Sequence, residues 1–508
     1  RRAVEALGPS WFQTQFWFRA GATAEDVVTE LTTDVLRAWN NPARTSMLGG
    51  RSMERCKAAG IFFDLTDAFC RVDTAVAAKR AAELGLPPYL VALLGDFGQR
   101  RTFRVRVANR FSGWRRAVLG APQGSVLGPL LFLLWVESLA IALAAPLPTK
   151  PRSGNWCPGC WQQLAESNLA LPAHRAKGGC KAQLPDPYTV PAKSRFFADD
   201  LTTWTADYST DVVKHRLQHA CEVVSRWAAA HGVAISNKTS AMVFKASKCS
   251  RMEVGELRVG DFVVPFATDS TRVLGIRLDP ELHLHTHCRS VADAIRPKAS
   301  LLRSLPLPFG AKRLIWQAVG YGKAAYGAHI VAAVASPTAM RIVDLALAYG
   351  CKAVCSLPPV CGAAAARAEA ALPCLSEIGH RKACSTLLRW ERGGLGRDTL
   401  VTGCASAVAR LAAADCSARR VSALDWAYRV RTRVASVEAA VAPLPCESQF
   451  EHMPVILAEA PEGLKKADGN EPARKAASDR RLIALGKRMW VATDGAVNRD
   501  GRGAGAAL

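Results

Sequence analysis

Arg195-Phe196-Phe197-Ala198-Asp199-Asp200-Leu201-Thr202-Thr203-Trp204 joins two runs of strand-forming residues through a turn that carries adjacent carboxylates. Alone, Asp-Asp is an ordinary turn sequence. A second stretch changes its meaning, because Ile61-Phe62-Phe63-Asp64-Leu65 is an apolar strand that also ends in a carboxylate. Nucleotidyl transfer promoted by two divalent ions needs acids that converge from different elements, since oxygen ligands suit Mg²⁺ and the ions sit ~3.5–4 Å apart. Asp64, Asp199 and Asp200 are therefore candidate catalytic acids and candidate ligands of two Mg²⁺ ions.

Further elements follow one another along the chain. They are Phe18-Arg19-Ala20-Gly21-Ala22-Thr23-Ala24-Glu25-Asp26, Phe63-Asp64-Leu65-Thr66-Asp67-Ala68-Phe69 and Gly120-Ala121-Pro122-Gln123-Gly124-Ser125-Val126-Leu127-Gly128-Pro129. Then come Phe197-Ala198-Asp199-Asp200, Asn237-Lys238-Thr239 and Leu274-Gly275-Ile276-Arg277-Leu278-Asp279. The ordered set resembles the reverse transcriptases of LINE-type (non-LTR) retrotransposons. The resemblance implies an RNA-directed DNA polymerase that adds deoxynucleotides to a DNA primer on an RNA template. It implies an α+β right-hand fold with partial fingers, a palm built on an antiparallel sheet, and a helical thumb. Asp67, Phe69, Gln123 and Gly124 would then line the nucleotide, with Phe69 as the steric gate against a ribose 2′-hydroxyl. Lys238 would protonate the departing pyrophosphate. Core packing for Phe69 and a plain surface position for Lys238 are the competing readings. Cys70, Phe197 and Trp135 depart from the commoner family residues, and none of them removes a carboxylate.

Periodicity fills in the surroundings. Val213, Leu217, Cys221, Val224 and Ala228 recur at spacings of four and three between a Ser209-Thr210-Asp211 cap and His231-Gly232, which predicts a helix packed on the sheet. Leu257-Arg258-Val259 and Phe262-Val263-Val264 flank Gly260-Asp261 and predict a hairpin. The apolar run from Val126 to Pro146 is broken by Pro129 and Glu137, so a buried helix is expected and not a membrane span. Phe103, Val105 and Val107 alternate with Arg104 and Arg106. One strand with a buried apolar face could aim both guanidiniums at phosphates, and a solvated strand edge is the alternative.

Residues 146–195 are rich in proline and lack hydrophobic periodicity, which reads as an insertion. Within it Cys157, Cys160, His174 and Cys180 could close a tetrahedral Zn²⁺ site, or stay reduced and unligated. His283, His285 and His287 would share one strand face, with poor reach and no fourth ligand for a metal. Composition divides the rest into a mixed part up to about residue 290, a helical part over 291–440 and a linker over 441–486, which the resemblance turns into fingers and palm (1–290) and thumb and connection (291–440). Thr493-Asp494-Gly495-Ala496 with Gly501-Arg502-Gly503-Ala504-Gly505 resembles the first hairpin of a type 1 RNase H domain, truncated within 487–508, and a chance Asp-Gly hairpin is the alternative. In that last segment Asp494 would be the first metal-binding acid. The net charge of +23 over 508 residues suits a polyanionic partner. Sixteen scattered cysteines and no evident secretory signal favour a reducing, intracellular compartment, which the resemblance narrows to the nucleus. Few residues precede Phe18, so the expected fingers are incomplete. A degenerate copy, or a binding protein that has lost catalysis, stands as the alternative to an active polymerase.

Overall fold

A computed structural model of the chain describes residues 12–19, 21–41, 44–45, 53–54, 56–99, 101–122, 124–148, 155–156, 163–164, 186–246, 254–392, 398–413 and 421–433. Its central element is β1 (Lys57–Thr66), a strand buried along almost its whole length. On one side β1 pairs antiparallel with β3 (Asp200–Asp207), which forms a hairpin with β2 (Lys193–Phe197). On the other side it pairs with β4 (Ala234–Ile235) and then β5 (Ser240–Phe244), again antiparallel. The chain is thus a mixture of helix and antiparallel sheet, as its patterning predicted.

Side chains alternate across a strand, and in β1 this alternation separates two cores. Ala59, Ile61, Phe63 and Leu65 enter one core, which α2 (Thr74–Glu83), α3 (Pro88–Gly98), α4 (Gly128–Ala144) and α5 (Thr210–His231) complete. Ala58 and Phe62 enter the other, beside Trp204, Met242 and Phe244 of the neighbouring strands. Gly60 lies on this second face, and a Cβ there would come within 3.4 Å of the Trp204 Cβ. Absence of a side chain at Gly60 lets the indole cross the sheet.

The predicted helix is α5, which starts after Ser209 and stops at Gly232, a left-handed C-cap. All five residues of its proposed stripe are buried. The predicted hairpin is β6 (Arg258–Val259) with β7 (Phe262–Val263), closed over Gly260-Asp261. The apolar run forms α4, whose Leu131, Phe132, Leu134 and Trp135 are inside the first core. Among the described residues no helix is long and apolar enough to cross a membrane.

After a small hairpin of β8 (Thr271–Val273) and β9 (Ile276–Leu278), helices take over. α6 (His285–Ser304) runs unbroken through residue 290, so the passage from sheet to helix falls a few residues before the position that composition suggested. α7 (Phe309–Trp316), α8 (Ala328–Val334) and α9 (Pro337–Val354) extend the second core. There Gly350 abuts the Trp316 ring, where a Cβ would lie only 2.0 Å from it. α10 (Ala363–Ala370) and α11 (Leu375–Arg392) follow. α12 (Asp398–Ala413) and α13 (Ala423–Arg433) close a smaller cluster around Leu387, Trp390, Cys404 and Leu424.

α1 (Ala24–Asn40) ties these parts together. It begins with the Asp26 carboxylate accepting the Thr23 N–H at 2.8 Å, one arm of a capping box. Its acids are buried and paired on opposite sides. Glu30 meets Arg195 at 2.7 Å and Lys193 at 2.6 Å from β2, while Asp26 meets Arg389 of α11 at 2.6 Å. Glu25 meets Lys382 at 2.7 Å, and Arg37 meets Asp425 of α13 at 2.6 Å. Burial alone would raise Glu30, but Arg195 and Lys193 outweigh it and hold the carboxyl at about 2.

Candidate active site

Asp64 shares the β1 face of Ala58 and Phe62, near the end of the strand. Its register partner is Asp200, the first residue of β3, so two carboxylates stand opposite each other across one strand pair. Asp199 precedes Asp200 in the two-residue turn that joins β2 to β3. Both acids of the turn and the acid of β1 therefore gather at one end of the sheet.

The turn is held from outside. Ala198 is left-handed at φ 56°, an unfavourable state for a residue with a Cβ. Gln15 is 2% exposed and grips this residue from both sides. Its Oε1 accepts the Ala198 N–H at 3.2 Å, and its Nε2 donates to the Ala198 carbonyl at 3.4 Å. Residues 14–16 run beside β2, where the Phe16 N–H donates to the Phe196 carbonyl at 2.8 Å and the Phe196 N–H to that of Thr14 at 2.8 Å.

Asp64 is held in a comparable way. Between β4 and β5 the chain leaves the sheet at Ser236–Thr239, opposite Asp64. The Ser236 N–H donates to the Asp64 carbonyl at 2.8 Å, and the buried Thr239 hydroxyl accepts the Asp64 N–H at 3.1 Å. Lys238 lies on this excursion with an exposed side chain, near the backbone of a candidate metal ligand.

Clustered carboxylates resist ionisation. Burial, then Asp199 and Asp64, push Asp200 up to about 6, and Arg272 of β8 opposes the shift. Burial also raises Asp199, with its own backbone N–H opposing and Asp64 adding to the rise. Among the described residues no group of three or more His, Cys, Asp or Glu side chains closes around a metal-sized centre. The site is thus an open pair, Asp64 and Asp200, with Asp199 beside it. That openness fits Mg²⁺, which is commonly bound through one or two carboxylates and completed by phosphate oxygens and water.

The other candidate residues fall at varied distances from this centre. Phe69 lies on the one-turn helix Ala68–Arg71 that follows β1. Its half-buried ring stacks on Phe132 at 4.2 Å and meets Trp17 edge-on at 5.5 Å. The loop that begins at Gly120 is stitched to this helix. The Ala121 N–H donates to the Phe69 carbonyl at 2.9 Å and the Gly120 N–H to that of Val72 at 2.8 Å. Gly120 has φ +94°, and a Cβ there would approach the Cys70 carbonyl oxygen to 3.0 Å. Asp67 is exposed and left-handed at φ 54°. Gly124 is exposed with φ +82°, while Gln123 lies outside the described residues.

Two expectations need correction. Arg104 and Arg106 do not sit on one strand with a buried apolar face. Residues 102–116 form a bulged hairpin in which Phe103, Val105 and Val107 are all exposed, and among the described residues they join no hydrophobic core. His283, His285 and His287 do not share a strand either, since α6 begins at His285 and turns His287 inward. Burial, Lys323 and Arg277 push His287 down to about 4. Cys157, Cys160, His174 and Cys180 lie outside the described residues, as does Asp494.

Gln15 and Arg272 escaped the sequence reading. Gln15 acts on a turn 183 residues away, and no local pattern announces such a contact. Arg272 alternates with Thr271 and Val273 like any strand residue facing outward.

No protein-family model matches the chain. Over 125 residues it is 34% identical to a probable RNA-directed DNA polymerase from transposon BS of Drosophila melanogaster, covering 25% of this chain and 12% of that protein. Over 125 residues it is 31% identical to a probable RNA-directed DNA polymerase from transposon X-element of the same organism, again covering 25% and 12%. Over 280 residues it is 25% identical to the RNA-directed DNA polymerase from mobile element jockey, covering 53% of this chain and 26% of the relative. The chain spans about a quarter or less of the length of these curated relatives. Its relatives are thus RNA-directed DNA polymerases of insect transposons.

Proposed function

We propose that the chain is the polymerase part of a non-LTR retrotransposon reverse transcriptase and extends a DNA primer on an RNA template. The observation that carries this reading is the Asp64–Asp200 register pair, with Asp199 in the adjoining turn. The named activity of its relatives supports the same reaction. On this reading the sheet with its helices is the palm, and the helices from α6 onward are thumb and connection.

Asp64, Asp199 and Asp200 would hold two Mg²⁺ ions. When bound, the ions activate the primer 3′-hydroxyl and steady the charge on the leaving pyrophosphate. Thr239 and Gln15 fix the backbones that present these acids. Phe69 places its ring beside the incoming sugar, where its stack on Phe132 resists displacement and a 2′-hydroxyl meets carbon. Gln123 and Gly124 lie against the nucleotide or template, and Lys238 Nζ gives a proton to the departing pyrophosphate. Asp67 contacts the nucleotide from the turn after β1.

Primer extension tests the reading. The chain, given an annealed DNA primer on an RNA template, deoxynucleotides and Mg²⁺, is expected to lengthen the primer, and Asp199→Asn to abolish this. Extension equal in the two proteins would overturn the assignment. Binding of the annealed pair without extension by the unaltered chain would favour a nucleic-acid-binding protein without catalysis.

A further inference from the structure

The hairpin of residues 101–117 is unusual for what it does not do. It pairs Thr102–Phe103 with Arg115–Arg116 and Arg106–Val107 with Arg110–Phe111. The two halves are out of step by one residue, so a bulge falls at 112–114, on the strand that carries Trp114. Among the described residues, none of its side chains joins a hydrophobic core. A two-stranded ribbon with no face packed gains little stability from its own contacts. Yet Trp114 is 65% exposed, Phe111 51% and Val107 71%.

Charge is as lopsided as exposure. Residues 100–119 contain seven arginines and no aspartate or glutamate. The arginines interleave with the rings. Arg104 Cζ lies 4.0 Å from the Phe111 ring centroid and 4.8 Å from that of Trp114, and Arg106 Cζ lies 5.6 Å from Phe111. Arg106 and Phe111 are register partners, so they share a face of the ribbon. Guanidinium planes ordered over aromatic rings form a surface that is cationic and flat at once.

We infer that this ribbon is a stacking platform for single-stranded nucleic acid. Unpaired bases offer π-faces to Trp114, Phe111 and the stacked Arg104, while the remaining arginines follow the phosphates. A duplex hides its base faces and would engage the charges alone. The base of the ribbon is anchored to the candidate active site. Arg101 donates to the carbonyls of Leu119 and Gly120, and Gly120 is bonded to the segment that bears Phe69. Resting on the polymerase reading, the strand held there is template RNA not yet paired with product.

The test is a titration of the whole chain with fluorescein-labelled single-stranded RNA of about 16 nucleotides, and with the same strand annealed to its complement. Phe111→Ala with Trp114→Ala is expected to weaken single-strand binding about tenfold, with the salt slope unchanged and duplex binding within about twofold. Trp114→Phe restores most of the loss. Arg115→Gln with Arg116→Gln lowers the salt slope by about 1 to 2 for both ligands. Single-strand affinity unchanged in the double aromatic variant, or an equal loss for single strand and duplex, overturns the inference. The titration needs no turnover, so failure of primer extension would count against the polymerase reading and leave this result standing.

Discussion

Gln15 and Ala198 exchange two hydrogen bonds through the side-chain amide of one and the backbone of the other, 183 residues apart in sequence. The contact fixes a left-handed alanine in the turn that carries Asp199. Gln15→Ala leaves the Ala198 N–H and carbonyl without this partner and is expected to cost about 1–3 kcal/mol in urea denaturation. Because the turn presents a proposed catalytic acid, kcat for primer extension should fall about tenfold while KM for the deoxynucleotide stays within about twofold. A fall in stability with kcat unchanged would show that the amide only supports the fold.

Burial, and after it repulsion between carboxylates, predicts how the metal-free chain responds to pH. Asp200 sits at about 6, above its ordinary value. A raised carboxyl favours the folded state below its unfolded value, and the benefit is lost as pH rises through the folded one. Asp200→Asn should therefore stabilise the metal-free chain by about 1 kcal/mol at pH 7.5, after allowance for solvent screening. The gain should vanish near pH 4. Urea midpoints at both pH values measure it, and a gain independent of pH would contradict the assigned cause.

Asp26 is wholly buried and bonded to Arg389 at 2.6 and 3.1 Å. Arg389→Met strands that carboxylate and should destabilise the chain by about 3 kcal/mol. Asp26→Asn removes the charge and keeps an acceptor for the Thr23 N–H. The double variant should therefore be more stable than Arg389→Met alone, and a double-mutant cycle reads the coupling.

Phe69→Val tests the gate. Ribonucleotide incorporation should rise relative to deoxynucleotide incorporation, about tenfold or more, in single-nucleotide extension assays. Unchanged discrimination would leave Phe69 as an element of the aromatic stack with Phe132 and Trp17.

Local signals were the legible ones. Gly232 marks the end of α5 because a left-handed C-cap is chemistry of adjacent residues, and Gly260-Asp261 marks its hairpin for the same reason; Ser209 stands at the start of α5 without a side-chain capping bond. The acids were legible because strands end in them and their order is distinctive. What periodicity could not display is which side of an alternating pattern meets protein. Phe103, Val105 and Val107 alternate as a buried strand would, yet all three are exposed. Nor does periodicity anticipate acids on the inside of a helix. Glu25, Asp26 and Glu30 are buried because their cations arrive from β2 and from α11, elements remote in sequence. The placing of acids at strand ends was legible, whereas the Asp64–Asp200 register and the Gln15 clamp depend on contacts between segments remote in sequence.

The charged partners of α1 also set a timetable for biosynthesis. Lys382, Arg389 and Asp425 leave the ribosome 357, 363 and 388 residues after Glu25, Asp26 and Arg37. At roughly 5–20 residues per second, the helix waits on the order of twenty to eighty seconds for its counter-ions. During that interval its acids cannot be sealed from water without a heavy penalty, so the half of the chain made first must remain open or chaperoned. The α1 side that meets α11 and α13 is thus completed last, and a nascent chain halted before residue 382 would leave Glu25 and Asp26 without their cations.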